Sequence, residues 1–437
     1  MKNTRITRIL AIAATFAVAG ALASCSGTAT SGGPNEDRPE NEIHVLVLGD
    51  AAASAEQAAA DRFNETSDIK VVIDSGPTAQ TEYDPAIRNS IGTASAPDIF
   101  MSWSAAGIQP LIDAGAVLPL DDFIAEDPNL RDSFLPSVFE AEVVDGKAYG
   151  IPMRGIAPEF LFYNKEVLAS AGLEPATTWD DLLEQVPTLI DAGVIPIGLA
   201  GADKWPQGIW FQFLYAREVG NDKVAAALAG DDDMWDSPES LAALEDIRTI
   251  VDSGAFGQNY DSVSYGSDGS AALLREGKSA YELMGTWHYA TVGAEDVLGW
   301  TAFPSLDGGE GQPGEIAGNL SNFYNVAADT RYPDTVREFL ASLYSDDFLN
   351  DQIALGNLPP TTNAAELVDA AEGLSETNKE YLSFVVQLVA DAPTFQLSWD
   401  QVVPAESKTP LQNAHADFFN GTIDAATFIQ AMKDLTP

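Results

Sequence analysis

From Ile43 onward, short unbroken apolar runs alternate with segments whose apolar residues recur every three or four positions. The order is Ile43 to Leu48, an alanine-rich stretch to Phe63, Ile69 to Ile73, a Tyr83/Ile87/Ile91 stripe, and Ile99 to Trp103. A strand buried on both faces reads as a continuous run, whereas a helix laid on one face of a sheet reads as a stripe. The rhythm is therefore βαβαβ, and it predicts an α/β fold with a parallel sheet covered by helices. Ligands of such sheets settle beyond the carboxyl ends of the strands. Asp50, just after the first run, and Trp103, at the end of the third, occupy those places.

A second unit opens near Ile156. Thr178-Trp179-Asp180-Asp181 has the form of a capping box, and Leu182, Leu183, Val186, Leu189 and Ile190 follow on one helical face. Ser237-Pro238 starts another helix, with Leu241, Leu244, Ile247 and Val251 as its stripe. The glycine-rich stretch from Leu306 to Gly318 reads as a loop. Arg331 to Leu349 and Thr377 to Ala390 read as helices, and Leu358-Pro359-Pro360-Thr361 breaks the chain between them. No internal repeat is present, and 437 residues are enough for two to three domains.

The first 24 residues stand apart. Lys2, Arg5 and Arg8 precede a short apolar stretch from Ile9 to Ala23, the pattern of an export signal. That stretch falls short of the roughly 20 residues a spanning helix needs. The tetrapeptide Leu22-Ala23-Ser24-Cys25 resembles the bacterial lipobox, in which the cysteine is lipidated and becomes the mature N-terminus. Cys25 is the only cysteine in the chain. Residues 25–42 then form the lipidated cysteine and a flexible tether, because Ser26 to Asn41 is rich in Ser, Gly, Pro and charge. As a coil the tether spans about 22 Å, enough to hold a folded body off a membrane surface.

Charge narrows the possible partners. With 22 Lys and Arg against 66 Asp and Glu, the formal net charge is -44, which disfavours phosphate backbones and leaves nucleic acid out as a partner. One cysteine and three histidines, His44, His288 and His415, leave little for disulfide, metal or triad chemistry. Gly277-Lys278-Ser279 lacks the glycine spacing of a phosphate-binding loop, and Asp231-Asp232-Asp233 lacks the glycine and glutamate of a calcium loop. No metal, cofactor or catalytic group is expected. A pair of carboxylates working as a glycosidase remains possible on sequence grounds, since only three-dimensional separation identifies such a pair.

The tryptophans carry more information. Trp179 sits at a helix start and Trp235 just before one, and both are expected to be structural. Trp103, Trp205, Trp210, Trp287 and Trp399 fall at strand ends, in loops or beside polar residues. Any one of them alone is as readily a packing residue as a binding one. Together they suggest flat apolar faces for the C-H surface of a sugar, with neighbouring carboxylates and amides for its hydroxyls.

Two stretches carry a resemblance. Phe160-Leu161-Phe162-Tyr163-Asn164-Lys165, followed by Ala171-Gly172-Leu173, Pro175 and Thr178-Trp179-Asp180-Asp181-Leu182, resembles the start of the second lobe in extracellular solute-binding proteins of ABC transporters. Gly277-Lys278-Ser279-Ala280, Met284-Gly285-Thr286-Trp287 and Phe303-Pro304 are similar to the carbohydrate-binding branch that includes maltose-binding protein. The resemblance implies a two-lobed periplasmic-binding-protein-like fold with three hinge crossings, near Pro152 to Pro158, Ala302 to Leu306 and Leu358 to Thr361. Lobe 1 would be 43–153 plus 306–358, and lobe 2 would be 154–305 plus 359–437. It also implies a monomeric, non-enzymatic, lipid-anchored receptor outside the cytoplasmic membrane that passes a sugar or oligosaccharide to an ABC permease.

Residue by residue, the resemblance places Asp50, Trp103, Trp287, Trp399 and Asp400 at the ligand. One of Trp205 and Trp210 is expected to line the cleft. Asn319 and Asn322 are expected either to bond sugar hydroxyls or to stabilise their loop. Arg154 is expected to pair with Glu159 or to hold an acidic sugar or another carboxylate. The alternatives are a non-sugar solute on the same scaffold, and a surface lipoprotein glycosidase.

Overall fold

The first three apolar runs form β1 (Glu42–Leu48), β2 (Lys70–Gly76) and β3 (Ile99–Ser102), and both β2 and β3 pair with β1 in parallel. Helices Ala53–Asn64 and Gln80–Ser90 connect them, the second burying Tyr83 and Ile87 against the sheet. This is the βαβαβ unit the hydrophobic rhythm predicts. The computed structural model describes residues 40–78 and 80–435, so the export signal, Cys25 and most of the tether lie outside the described residues.

A small hairpin of β4 (Val143–Val144) and β5 (Lys147–Ala148) leads to β6 (Ile151–Pro152). Beyond it lie β7 (Ala157–Asn164), β8 (Ile195–Gly198), β9 (Ser279–Gly285) and β10 (Leu298–Thr301). The last three strands are β11 (Ile316–Asn319), β12 (Phe323–Val326) and β13 (Phe395–Leu397). One sheet has the order β2-β1-β3-β12-β6 and the other β13-β11-β7-β9-β8, with β10 also on β7. Each has its own core, one around Val45, Phe100, Tyr324 and Phe339, the other around Phe160, Phe211, Trp235 and Phe428. The first sheet is mixed rather than purely parallel. β12 is antiparallel to both β3 and β6 because the chain returns to it from the other lobe.

The chain changes sheets between β6 and β7, and again between β11 and β12. These connections run side by side: the Met153 amide donates to the Asn322 carbonyl at 2.8 Å and the Ser321 hydroxyl to the Arg154 carbonyl at 2.6 Å. The Ile156 amide donates to the Leu358 carbonyl at 2.8 Å, which brings the third connection against the first. The second passage departs from the sequence expectation. Residues 306–319 belong to the second lobe, and the chain leaves that lobe at 320–322 rather than at Ala302 to Leu306. The glycine-rich stretch is docked by Arg217, buried in the helix Trp205–Glu218, whose guanidinium donates to the carbonyls of Phe303, Pro304 and Glu315. It ends in β11, which pairs with β7 and β13, so it is only partly a loop.

Local signals hold well elsewhere. Thr178 and Asp181 make the reciprocal capping box, and the helix Trp179–Asp191 buries Leu182, Val186 and Leu189. Ser237 caps the helix Pro238–Asp252, which buries Leu244 and Ile247 of the expected stripe, whereas Leu241 and, on the helix Trp179–Asp191, Ile190 are exposed. The stretch from Arg331 to Leu349 is two helices, Pro333–Ser342 and Asp346–Ala354. Ser345 breaks it by taking an extended backbone and capping the second. Asp231 caps a short 3-10 turn, Asp232–Asp236, consistent with a solvated turn rather than a calcium loop.

Candidate ligand-binding cleft

A cavity of about 950 Å³ lies between the lobes, at the upper end of the range of about 300–1,000 Å³ for small-molecule sites. Asp50 and Trp103 reach it from the first lobe. Glu159, Trp205, Trp287 and Asp400 reach it from the second, and Arg154 and Asn322 from the connections between them. The carboxyl ends of β1 and β3 therefore do carry cavity residues, as open-sheet topology requires.

Three tryptophans are half-buried and present part of their surface to this space. Trp103 follows β3 and packs edge-on against Tyr83, with ring centroids 5.5 Å apart. Tyr83 is itself pinned, since its hydroxyl donates to the Leu46 carbonyl at 2.7 Å and accepts from the Met101 amide at 3.1 Å. Trp205 begins the helix Trp205–Glu218 and meets Trp287 at 6.1 Å and Tyr265 at 5.4 Å. Trp287 follows β9, and its ring lies on Gly285: a Cβ there would stand 2.1 Å from the ring. The glycine of the Gly-x-Trp motif is thus a seat for the indole.

The polar walls are built as networks. Arg154 donates from Nε and Nη2 to the two oxygens of Glu56, at 2.8 and 3.0 Å, and from Nη1 to Asp50 Oδ2 at 2.8 Å. Burial works against the Arg154 charge, but Asp50 and Glu56 more than offset it and hold the guanidinium protonated. Asp50 keeps its second oxygen, Oδ1, buried with no partner among the described residues. Across the cavity, Asn319 Oδ1 receives Ser398 Oγ at 3.0 Å and also the side-chain amide of Gln401, which leaves the Asn319 NH2 group as the part free to donate. Ser398 Oγ is also 3.4 Å from Glu159 Oε1. Burial first, and then negative Asp400, push the Glu159 carboxyl up to about 8. His415 is pushed down to about 3 by burial and is neutral.

Three expectations need correction. Trp210 does not reach the cavity: it is 0% exposed, wedged edge-on between Phe256 and Phe303, because a residue five places into the helix faces the lobe core. Of the pair, Trp205 is the one that lines the cleft. Trp399 borders the cavity but is only 1% exposed, enclosed by Tyr215, Trp235 and His415, so it supports the wall rather than offering a ring face. Arg154 pairs with Glu56 and Asp50, not with Glu159. The sequence reading also passed over Glu159 as a wall residue, along with Gln212, Tyr265, Ser398, Gln401 and Gln412. They come from separate elements with no shared local pattern. Only Ser398 and Gln401, flanking Trp399 and Asp400, had a neighbour that drew attention.

Among the described residues no cluster of His, Cys, Asp and Glu could hold a metal ion, and no helix is long and apolar enough to cross a membrane. A model of the family described as bacterial extracellular solute-binding protein matches residues 48–348. An uncharacterized ABC transporter extracellular-binding protein of Pyrococcus horikoshii is 24% identical over 272 residues, spanning 61% of this chain and 59% of that protein. A structure from a study of xylan utilization by the thermophilic bacterium Caldanaerobius polysaccharolyticus superposes with a TM-score of 0.79 at 23% identity, covering 90% of this chain and 99% of the other. A chitin oligosaccharide binding protein superposes with a TM-score of 0.76 at 20% identity, covering 90% and 98%.

Proposed function

This chain belongs to the family of bacterial extracellular solute-binding proteins, and we propose that it is the receptor of an ABC importer for a sugar or oligosaccharide. The observation that carries this is the placement of Trp103 from one lobe and Trp205 and Trp287 from the other around one cavity walled by amides and carboxylates. Indole faces take the C-H surface of a sugar ring, while Asp50 Oδ1 accepts from hydroxyls and the Asn319 amide donates to them. Asn322 and Asp400 supply further polar contacts. Arg154 acts through Asp50, holding it in place. Its committed guanidinium makes it a poor host for an acidic sugar. Sugar-related solved structures of the same fold support the reading.

In this reading the receptor is a monomer anchored outside the cytoplasmic membrane through lipidated Cys25, and the closed lobes present the ligand to the permease. It performs no chemistry on the ligand. A thermal-shift screen against a panel of mono- and oligosaccharides tests the ligand class, and a reproducible stabilisation by at least one sugar is expected. No shift with any sugar, alongside a shift with another solute class, would overturn it. Cys25→Ala should release the protein from membranes or block its processing, and unchanged retention after normal cleavage would remove the lipid anchor from the model.

A further inference from the structure

We propose that Glu159 and Asp400 form an acidic subsite in the cleft that receives a protonated amine, so that the ligand is a basic, nitrogen-bearing sugar. This deepens the sugar reading and rests on it. The charge inventory of the cavity wall is lopsided: Asp50, Glu159, Asp268 and Asp400 are carboxylates, and the basic groups are Arg154 and His415. Arg154 spends three N-H groups on Glu56 and Asp50. His415 is buried, neutral and stacked on Phe211 at 4.4 Å. Among the described residues, the wall offers no uncommitted cation.

Glu159 is the focus of that imbalance. It projects from β7 and is 3% exposed, lines the cavity, and its Oε2 has no hydrogen-bond partner among the described residues. A buried carboxyl oxygen without a partner is costly in either state, lacking a donor when ionised and an acceptor when protonated, and a ligand that supplies the partner removes that cost. Its other oxygen has only a shared neighbour. Ser398 has one hydroxyl proton and two acceptors, Asn319 Oδ1 at 3.0 Å and Glu159 Oε1 at 3.4 Å, and the nearer one is Asn319. Asp400 adds a second carboxyl, which burial raises as well. The cation that acts on it, Lys408, forms its ion pair across the lobe boundary with Asp84, 3.8 Å away. Glu159 is also in register with Gly285, the glycine on which the Trp287 ring lies. A cation at Glu159 would therefore sit beside an indole face, which attracts positive charge. One ammonium group would fill the orphan oxygen, offset the paired carboxylates and use the neighbouring ring.

Before a ligand binds, Glu159 keeps its proton at neutral pH, since burial and Asp400 raise it to about 8. An incoming ammonium displaces that proton, so binding releases it to the buffer. A neutral sugar that accepts a hydrogen bond from the protonated acid releases none.

The test is calorimetric titration of the mature protein at pH 7 in two buffers of different ionisation enthalpy. The probes are glucosamine oligomers of two to four units, their N-acetylated forms, cello-oligosaccharides of equal length, and spermidine. The amino sugars are expected to bind at least tenfold tighter than both neutral series, with close to one proton released. Glu159→Gln, nearly isosteric, should collapse the ratio and abolish the release. Asp400→Asn should lower the ratio independently, in case the first variant folds poorly. Neutral sugars binding as well as amino sugars, or a ratio that survives Glu159→Gln, overturns the subsite and leaves the sugar reading intact. Binding of spermidine alone, with proton release, keeps the subsite and overturns the sugar reading. Absence of binding by every probe overturns the subsite and leaves the sugar reading to the thermal-shift panel.

Discussion

Arg154 holds Asp50 by a single oxygen: Nη1 donates to Oδ2 at 2.8 Å, and Oδ1 is left buried and unpartnered at the cavity wall. The other side of the same guanidinium is locked in a two-bond fork on Glu56, which is fully buried. One side chain at the passage between lobes thus fixes a carboxylate at the cavity wall and pairs another beneath it.

Arg154→Met should consequently do two separable things. Removing one partner of a buried pair strands Glu56, at a cost of about 3–5 kcal/mol in urea unfolding. Adding Glu56→Leu should recover most of that loss. Ligand affinity should stay low in the double variant, because Asp50 has lost its fixed orientation. Full recovery of affinity along with stability would show that Asp50 needs no such support.

The tryptophans should divide by location. Trp103→Ala and Trp287→Ala are expected to cost about 1–3 kcal/mol of binding with the unfolding midpoint little changed, on the scale of losing a large apolar contact. Trp210→Ala and Trp399→Ala should instead cost about 3–5 kcal/mol of stability, as large-to-small changes inside a packed core do. Gly285→Ala should mimic Trp287→Ala in binding by displacing the ring from its seat. Parallel calorimetry and urea denaturation on the five variants would expose any residue placed on the wrong side.

Closure should depend on a lysine that crosses the lobe boundary. Lys408, buried at the start of the helix Lys408–Phe419, lies 3.8 Å from Asp84 and against Gly107, where a Cβ would approach Nζ to 2.6 Å. Ser104 in the first lobe adds a hydrogen bond to the Gln401 carbonyl of the second at 3.0 Å. Gly107→Ala should displace the Lys408 ammonium, weaken its pairing with Asp84 across the boundary and so shift the population toward the open form, lowering affinity without touching the cavity wall. Small-angle scattering should show a larger radius of gyration for ligand-free Gly107→Ala than for wild type, with ligand restoring compaction only at higher concentration. An unchanged scattering curve and affinity would mean that this contact does not govern closure.

Stability should fall as pH rises from about 5 to 8. Burial pushes Glu142 up to about 8, and burial followed by Asp400 does the same for Glu159. In the unfolded chain both titrate near the ordinary carboxylate value, so between the two values the folded state binds protons that the unfolded state has lost. Each group then removes about 1.4 kcal/mol per pH unit as pH rises. For Glu142, the Asn325 amide, Lys408 and the Ala105 backbone oppose its shift without cancelling it. Glu142→Gln keeps the acceptor for Asn325 and should make the decline visibly shallower. A melting temperature that rises from pH 6 to 8 would contradict the assignment.

Local patterns determined a large share of this protein. The continuous apolar runs fixed β1, β2 and β3 within one to three residues, because a strand buried on both faces has few alternatives. The Thr178/Asp181 box and the Ser237-Pro238 start are short-range hydrogen-bonding devices, and they formed where they were written. Trp103 could be placed at the cavity because strand ends in open sheets are where clefts form. The second passage between lobes was not legible. A glycine-rich stretch looks like a linker until a distant side chain, here Arg217, ties its Glu315 carbonyl to the carbonyls of Phe303 and Pro304 just before it. Trp205 and Trp210 could not be told apart by composition, since the helical phase relative to the lobe core decides which one is buried. Arg154 found Glu56, 98 residues away, and Glu159 met Ser398, 239 residues away. Hydrogen bonding and ion pairing around a cavity between lobes are properties of the assembled lobes, and no local spacing encodes them.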